Sequence, residues 1–323
     1  GQKMCAFDRL MLGNSPELRE VINAARIISA TDIITLICGE SGTGKELVAR
    51  GMHLSGSRRE DPFVSINCAS LPESLAESLM FGHRKGAFTG ALTDHIGYIR
   101  SAEQGTLFLD EIAELPLSTQ AKFLRFLESG ECLPVGEVQA CKPDVRIIAA
   151  TNRDLKVEVR TGRFREDLYY RLNVVPLTLP PLRNREQDIE LLLKHFLAES
   201  SQRFGLAAPT FSKAALKVLR SYSWPGNVRE LRNLAERMVV LFSGVLVEPG
   251  NLPSDMVTET THPGRAGNGF TLPNRGIVLD ELEADMIRQA LDRTNGNRSG
   301  AARLLGLTRD TLLYRLKKYA IAC

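Results

Sequence analysis

Residues 32–46, DIITLICGESGTGKE, decide the fold. The stretch opens with a strand-length apolar run that ends at Cys38 and passes directly into Gly39, Gly42 and Gly44. Lys45 and Glu46 then begin a helical pattern. A G-x-x-x-x-G-K segment between a strand and a helix is the context in which a loop cradles nucleotide phosphates. Glycines let backbone N–H groups turn inward, the helix N-terminus favours negative charge, and the lysine reaches the outer phosphates. The expected nucleotide-contacting set is Gly39, Glu40, Ser41, Gly42, Thr43, Gly44, Lys45 and Glu46. Glu46 departs from the Ser or Thr that usually coordinates Mg²⁺ at that position.

Outward from this loop, from Ile33 to about Val175, short apolar runs alternate with amphipathic stretches. DIITLICG, PFVSINC, TLFLDE, VRIIAAT and NVVPLTL read as strands, and STQAKFLRFLESG as an intervening helix. Strands buried on both faces and spaced by helices predict a parallel α/β sheet. After LPPLRNREQD the strand signals stop. DIELLLKHFLAESSQRFG, SKAALKVLRSY and NVRELRNLAERMVVLFSG carry apolar residues at helical spacing and predict a small helical subdomain ending near Asp255. Residues 258–276, TETTHPGRAGNGFTLPNRG, have almost no apolar content and read as a linker. The boundaries are set at 1–175, 176–257, 258–276 and 277–323.

A 323-residue chain suits roughly two domains with cores of their own. Its balance of 43% hydrophobic and 24% charged residues is that of an ordinary globular protein, and a net charge of +3 does not by itself point to nucleic acid. The six cysteines form no C-x-x-C pair and have no histidine at metal-ligand spacing, so separate reduced thiols are expected. The longest apolar runs, such as IITLIC, are strand-length, and no signal peptide opens the chain. A cytoplasmic location without membrane contact is the expectation.

Further motifs cluster around the loop. GTLFLDEI ends an apolar strand on Asp110 and Glu111. Beside a phosphate loop, Asp110 can hold Mg²⁺ and Glu111 can polarise an attacking water; elsewhere the pair would be a solvated acidic turn. AATN offers Thr151 and Asn152 as polar sensors of the γ-phosphate. GRFREDLYYRLNV carries Arg165 and Arg171, guanidinium groups able to stabilise a transferring phosphoryl group, also from a neighbouring subunit, although structural arginines are commoner. WPGNVREL puts Arg229 in the first turn of a helix, where a cation is unfavourable unless an anion faces it. Residues 82–95, GHRKGAFTGALTDH, match no phosphate loop and hold nothing that could usefully take a proton at a phosphate or bind a metal tightly.

The series GESGTGKE, GAFTGA, GTLFLDE, FREDLYYRLNV and WPGNVREL resembles the AAA+ domain of bacterial enhancer-binding proteins, the activators of sigma-54 RNA polymerase. The resemblance runs over about residues 12–319, and GAFTGA is its most specific motif. It implies a P-loop NTPase fold with a parallel sheet sandwiched by helices, a helical lid, and ATP with Mg²⁺ as ligands. A glutamate after the P-loop lysine is usual in the family. By resemblance Lys45, Asp110 and Glu111 handle ATP and Mg²⁺, with Asp110 as the metal residue. Asn67, in SINCAS, is similar to the switch asparagine that holds the catalytic glutamate away until nucleotide and partner are aligned. Arg165 and Arg171 resemble trans-acting arginine fingers, and Arg229 resembles the sensor tying lid to nucleotide. Such fingers imply a ring, usually a hexamer.

In that family the GAFTGA loop rises when ATP is bound and engages sigma-54, which makes Gly86, Ala87, Phe88, Thr89, Gly90 and Ala91 the expected contact set. Gly86 and Gly90 permit the backbone excursion, Phe88 offers an apolar anchor, and Thr89 adds a hydroxyl. Most relatives carry an acidic residue, as in GHEKGAFTGA, where this chain has Arg84 beside Lys85. That departure bears on how the loop is held at rest. A receiver or ligand-sensing domain precedes the AAA+ domain in relatives; here a short segment does, so control would come from outside this sequence or from a separate protein.

The C-terminal segment is basic. Residues 293–318 hold seven Lys or Arg residues against Asp310 alone. LDELEADMIRQALDRT, RSGAARLLG and TRDTLLYRLKKY read as three helices with Thr308 as an N-cap, a helix-turn-helix whose last helix is placed to enter the major groove. The module resembles the factor-for-inversion-stimulation type. Arg298, Thr308, Arg309, Asp310, Thr311, Arg315, Lys317 and Lys318 are the expected contacts to DNA, with Leu304, Leu305, Leu312, Leu313 and Leu316 mostly core. Such modules dimerise, which predicts an inverted-repeat site on double-stranded DNA.

Together these features describe an ATP hydrolase that binds upstream DNA, forms a ring and remodels the closed sigma-54 RNA polymerase holoenzyme complex. Two rivals differ in class: a DNA-binding regulator whose AAA+ fold has lost turnover, and a AAA+ remodeller of another substrate. Intact Lys45, Asp110 and Glu111 oppose the first; Phe88, Thr89 and the helix-turn-helix oppose the second.

Overall fold

The strand signals flanking the phosphate loop assemble into one sheet. The computed structural model describes residues 6–261, 278–294, 296–319 and 321, and the chain divides into two compact units, residues 1–261 and 262–323. In the first, α1 (Ala6–Leu10) and α2 (Pro16–Ser29) precede β1 (Thr35–Cys38). Pro16 begins α2, where its fixed φ suits the first turn and its missing N–H costs nothing. There follow α3 (Lys45–Ser55), β2 (Phe63–Asn67), α4 (Ala76–Phe81), α5 (Tyr98–Ser101), β3 (Thr106–Asp110) and α6 (Leu117–Ser129). The sheet is completed by β4 (Arg146–Thr151) and, after α7 (Leu155–Arg160) and α8 (Glu166–Leu172), by β5 (Val175–Thr178).

All pairings in this sheet are parallel, in the order β2-β3-β4-β1-β5. Strand alternation distributes the core between two faces. Leu107, Leu109, Ile147 and Ala149 belong to one buried cluster, while Phe108, Ile148 and Ala150 belong to another with Val48 and Met52 of α3. Both faces are covered, as continuous apolar strands require.

The lid consists of α9 (Glu186–Phe204), α10 (Lys213–Ser221), α11 (Asn227–Leu241) and α12 (Ser254–Thr261), packed around the buried Trp224. Two details differ from the sequence expectation. A two-stranded parallel ribbon, β6 (Thr210–Phe211) with β7 (Leu246–Val247), lies within the lid; strands of two residues are too short to produce an alternation signal. Helix α12 is a fourth lid helix beyond the three expected, and it runs to Thr261, into the threonine-rich start of the stretch read as linker. The rest of that linker lies outside the described residues.

The second unit holds α13 (Leu279–Arg293), α14 (Arg298–Leu304) and α15 (Arg309–Lys318). The Asn297 side chain accepts from Gly300 N to cap α14, and Thr308 accepts from Thr311 N to cap α15. Ile287, Leu291, Ala301, Ala302, Leu312 and Leu316 form its core. Leu304, expected inside, is exposed, because Ala301, Ala302 and Leu305 supply the inward stripe of α14 and the turn after it.

Candidate functional site

The C-terminal edge of the sheet gathers most of the residues singled out above. Although β1 comes first in sequence, it lies between β4 and β5, so the loop after it opens where the strand order reverses. Open parallel sheets bind ligands at such a point. The register sets Cys38 beside Thr151 and Asn67 beside Asp110. Gly42 and Gly44 take φ values of 80° and 99°, and Lys45 begins α3 with its ammonium folded under the loop. Lys45 Nζ donates to Gly39 O (3.0 Å) and Glu40 O (3.2 Å). Burial pushes the Lys45 pKa down, and the carboxylates of Glu111 and Asp110 pull it back up. A buried cation under a glycine loop at a helix N-terminus fits a polyphosphate. The Glu46 carboxylate, by contrast, is half-exposed and pairs with Arg50 one turn later (2.9 Å).

Glu111 has a left-handed backbone (φ 52°), one of four non-glycine residues with positive φ among those described. That conformation costs about 1–3 kcal/mol and is typical of a functional position. Asp110 Oδ1 accepts from Glu111 N (3.0 Å), and Glu111 Oε2 accepts from Asn152 N (3.3 Å). The Thr151 hydroxyl accepts from Arg153 N (3.0 Å), holding the turn that presents Asn152. The Asn67 side chain accepts from Ala69 N (2.9 Å) and caps its own turn. No hydrogen bond joins it to Glu111 among the described residues. Cys68, next in sequence, is pushed up to about 12, first by burial and then by the charges of Asp110 and Glu111.

The lid reaches this loop directly. Arg229 Nη1 donates to Ser41 Oγ (3.1 Å), and Val228 N donates to Gly42 O (3.0 Å). Two residues that carry the junction were not singled out in the sequence. Asn227, fully buried with φ 50°, accepts from Leu182 N (2.8 Å) and donates to Ser41 O (3.0 Å) and Glu40 Oε2 (3.1 Å). Arg183 donates both guanidinium arms to Glu40 (2.9 and 2.6 Å) and holds that carboxyl below its usual range. Pro225 and Gly226 beside Asn227 are the local sign of a turn, but the partners of Asn227 lie far away in sequence.

Beside the loop is a cavity of about 200 Å³ between Met11, Thr43, Gly44, Leu47, Phe196 and Val228. A buried ion pair fixes its N-terminal wall. Asp188 accepts from Arg185 Nε (3.0 Å), Asn14 N (2.6 Å) and Ser15 N (3.1 Å), and Arg185 Nη2 donates to Leu12 O (2.9 Å). Burial alone would raise the Asp188 pKa, but the bonds from Asn14, Arg185 and Ser15 outweigh it and hold the carboxyl below its ordinary value.

The GAFTGA segment lies between α4 and α5. His83 and His95 close its base with paired backbone hydrogen bonds of 2.9 Å, and their rings stack. Gly86 N donates to Ala91 O (2.9 Å) and Ala91 N to Phe88 O (3.0 Å), which folds the tip into a tight turn. Phe88 rests edge-on against His83 at 5.0 Å, with Thr89 and Gly90 exposed beside it and Ala87 half-buried. Arg84 binds Glu137 and Asp94, and Lys85 N donates to Asp94 Oδ1 (2.7 Å). The cationic departure at the loop base is thus met by two carboxylates.

Arg165 stands at the N-cap position of α8 without a side-chain cap and pairs with Asp167 (2.8 Å), while Arg171 donates to Leu127 O (2.8 Å). In the helix-turn-helix unit Arg298, Thr308, Arg309, Asp310 and Lys317 are exposed and Thr311 half-buried. Arg315 is bound to Glu283 and Lys318 to Asp280 (3.0 Å), so a phosphate reaching either would displace a carboxylate of α13.

Residues 11–178 match the family described as the Sigma-54 interaction domain. Residues 183–268 match the AAA+ ATPase lid domain, and residues 278–319 the Fis family of bacterial regulatory proteins. The chain is 45% identical over 315 residues to the regulatory protein AtoC of Escherichia coli, covering 96% of this chain and 68% of that protein. It is 43% identical over 339 residues to the DNA-binding transcriptional regulator NtrC of Rhizobium meliloti, covering 97% and 70%. The crystal structure of NtrX from Brucella abortus in complex with ATP aligns with a TM-score of 0.71 at 33% identity, over 96% of this chain and 69% of that one.

Proposed function

This chain belongs to the sigma-54-dependent, NtrC-like transcriptional activators, and from that premise we propose that it hydrolyses ATP to remodel a closed sigma-54 RNA polymerase promoter complex. The observation that carries the reading is the convergence of Lys45, Asp110, Glu111 and Asn152 on one sheet edge, with Arg229 of the lid on the same loop. The phosphate loop and Lys45 bind the outer phosphates. Glu111 takes a proton from water as its oxygen attacks the γ-phosphorus; the bond to the β–γ bridging oxygen breaks, releasing ADP and phosphate. Mg²⁺, held by Asp110, would neutralise phosphate charge. Asn67 acts as the switch on Glu111, and Arg165 and Arg171 act in trans between subunits of a ring, taken here as a hexamer. The contact from Arg229 to Ser41 supports a lid that responds to the nucleotide state.

The GAFTGA loop is the output. Its exposed Thr89 and half-exposed Phe88 touch sigma-54 when the loop rises. Residues 277–323 dimerise on an inverted-repeat enhancer, with Arg309 and Thr311 near bases and Lys317 near phosphates.

The test is a native binding assay between the full chain and sigma-54, with ADP and aluminium fluoride standing in for the hydrolysis transition state. A complex is expected, and Thr89→Ala should abolish it while leaving ATP turnover within about twofold, because the loop lies outside the phosphate site. Turnover without any complex would instead assign a different remodelling target.

A further inference from the structure

The sequence suggests six separate thiols, but the fold sets two of them face to face. Cys132 and Cys141 form an antiparallel bridge in which each N–H donates to the other's carbonyl, at 2.8 and 2.9 Å. In such a directly opposed pair both side chains leave the same face, and the Cα atoms stand about 5.5 Å apart. A disulfide spans roughly 4.4–6.8 Å between Cα atoms. Cys141 Sγ lies 3.3 Å from Cys132 O, and Cys132 Sγ lies 3.7 Å from Phe81 O. Cys132 is buried, whereas Cys141 is half-buried.

These residues close the base of the hairpin against which the GAFTGA loop rests. Val135 N donates to Gly82 O (2.9 Å), Arg84 N donates to Val135 O (3.2 Å), and Glu137 holds Arg84. Gly136 lies so close to Ala87 that a Cβ added there would meet the alanine Cβ at 2.8 Å. We propose that Cys132 and Cys141 are a reversible redox pair, oxidised by a low-molecular-weight disulfide, whose bond pins this hairpin and restrains the GAFTGA loop.

Cys141, the more accessible thiol, attacks one sulfur of the small disulfide and releases one small thiol. Cys132 then attacks the Cys141 sulfur, closing the intramolecular bond and releasing the second. The protein loses two electrons and two protons, and the small disulfide takes up both as two thiols. Burial raises the Cys132 pKa, so the second step quickens as pH rises. In a reducing compartment such a bond is transient and regulatory rather than structural.

The consequence for activation rests on the function proposed above; the bond itself does not. The full chain is treated with oxidised glutathione, alkylated and mapped by mass spectrometry without reduction. A peptide joined through Cys132 and Cys141 is expected; glutathione on Cys141 alone, or free thiols at both, overturns the pair. Hydrogen exchange over residues 82–97 should slow in the oxidised chain, return on reduction, and stay unaffected by oxidant in Cys141→Ser. Unchanged exchange overturns the pinning. Sigma-54-dependent open-complex formation should be lost on oxidation while ATP turnover persists, and equal activation in both states overturns the regulatory role. If the reduced chain does not activate at all, the proposed function has failed, and the peptide map and exchange still decide the redox pair.

Discussion

Gly42 and Gly86 share a φ of 80° and almost nothing else. A Cβ at Gly42 would lie 2.4 Å from Gly226 O and 3.1 Å from Arg229 Cβ, both in the lid. At Gly86 nothing stands within 4 Å. The first glycine is required by its surroundings as well as by its backbone; the second is required by its backbone alone. The phosphate loop is therefore locked between sheet and lid, while the GAFTGA loop has open space to move through. In the function proposed above, the first region would convert a bound nucleotide into a defined lid position and the second would convert that position into displacement.

The hardest attempt to break this division is Glu111→Gln. The variant should bind ATP yet lose hydrolysis by about 10²–10⁴-fold, the usual contribution of a general base. Near-normal kcat with unchanged ATP affinity would remove Glu111 from that role. On the locked side, Asp188→Asn leaves Arg185 buried opposite a neutral amide, and should cost about 3–5 kcal/mol in chemical denaturation at neutral pH. The Asp188 carboxyl titrates below its ordinary 3.8 in the folded chain, so its contribution is complete above that pH and fades as pH falls through the folded value. The variant should lose this acid-limb dependence, and an identical acid limb in both proteins would show that Asp188 does not carry it.

Gly42→Ala and Gly86→Ala sharpen the comparison itself. The left-handed backbone costs both variants about 1–2 kcal/mol. Only Gly42→Ala adds a clash with the lid, so only it should lower nucleotide affinity and melt appreciably earlier than its counterpart. Equal losses would show that the two loops are equally constrained. The smallest effect is expected from Arg84→Ala. Its ion pairs are exposed, so thermal stability and ATP turnover should be unchanged, whereas hydrogen exchange at the loop base should quicken. No change in exchange would leave Arg84 without a restraining role.

The five strands, three of the four lid helices and the helix-turn-helix were legible in sequence because each has a local cause: buried apolar runs, helical periodicity, and caps such as Thr308. So was the placing of Lys45, Asp110 and Glu111 beside the glycine loop, since a glycine loop between strand and helix and a strand ending in two acids fix their positions locally. The ribbon of β6 and β7 left no such mark, and Leu304 was misplaced because a short helix has more apolar residues than inward positions.

By itself the sequence determined which candidate groups the chain carries and on which elements, because propensity, periodicity and motif spacing act between near neighbours. Only the tertiary structure decided the partners. Asn227 reaches Glu40, Arg183 meets the same carboxylate, Asp188 holds Asn14, Arg84 finds Glu137, and Cys132 faces Cys141. Each of these pairings depends on how separate elements pack or how a loop turns back on itself, and no periodicity along the chain encodes it.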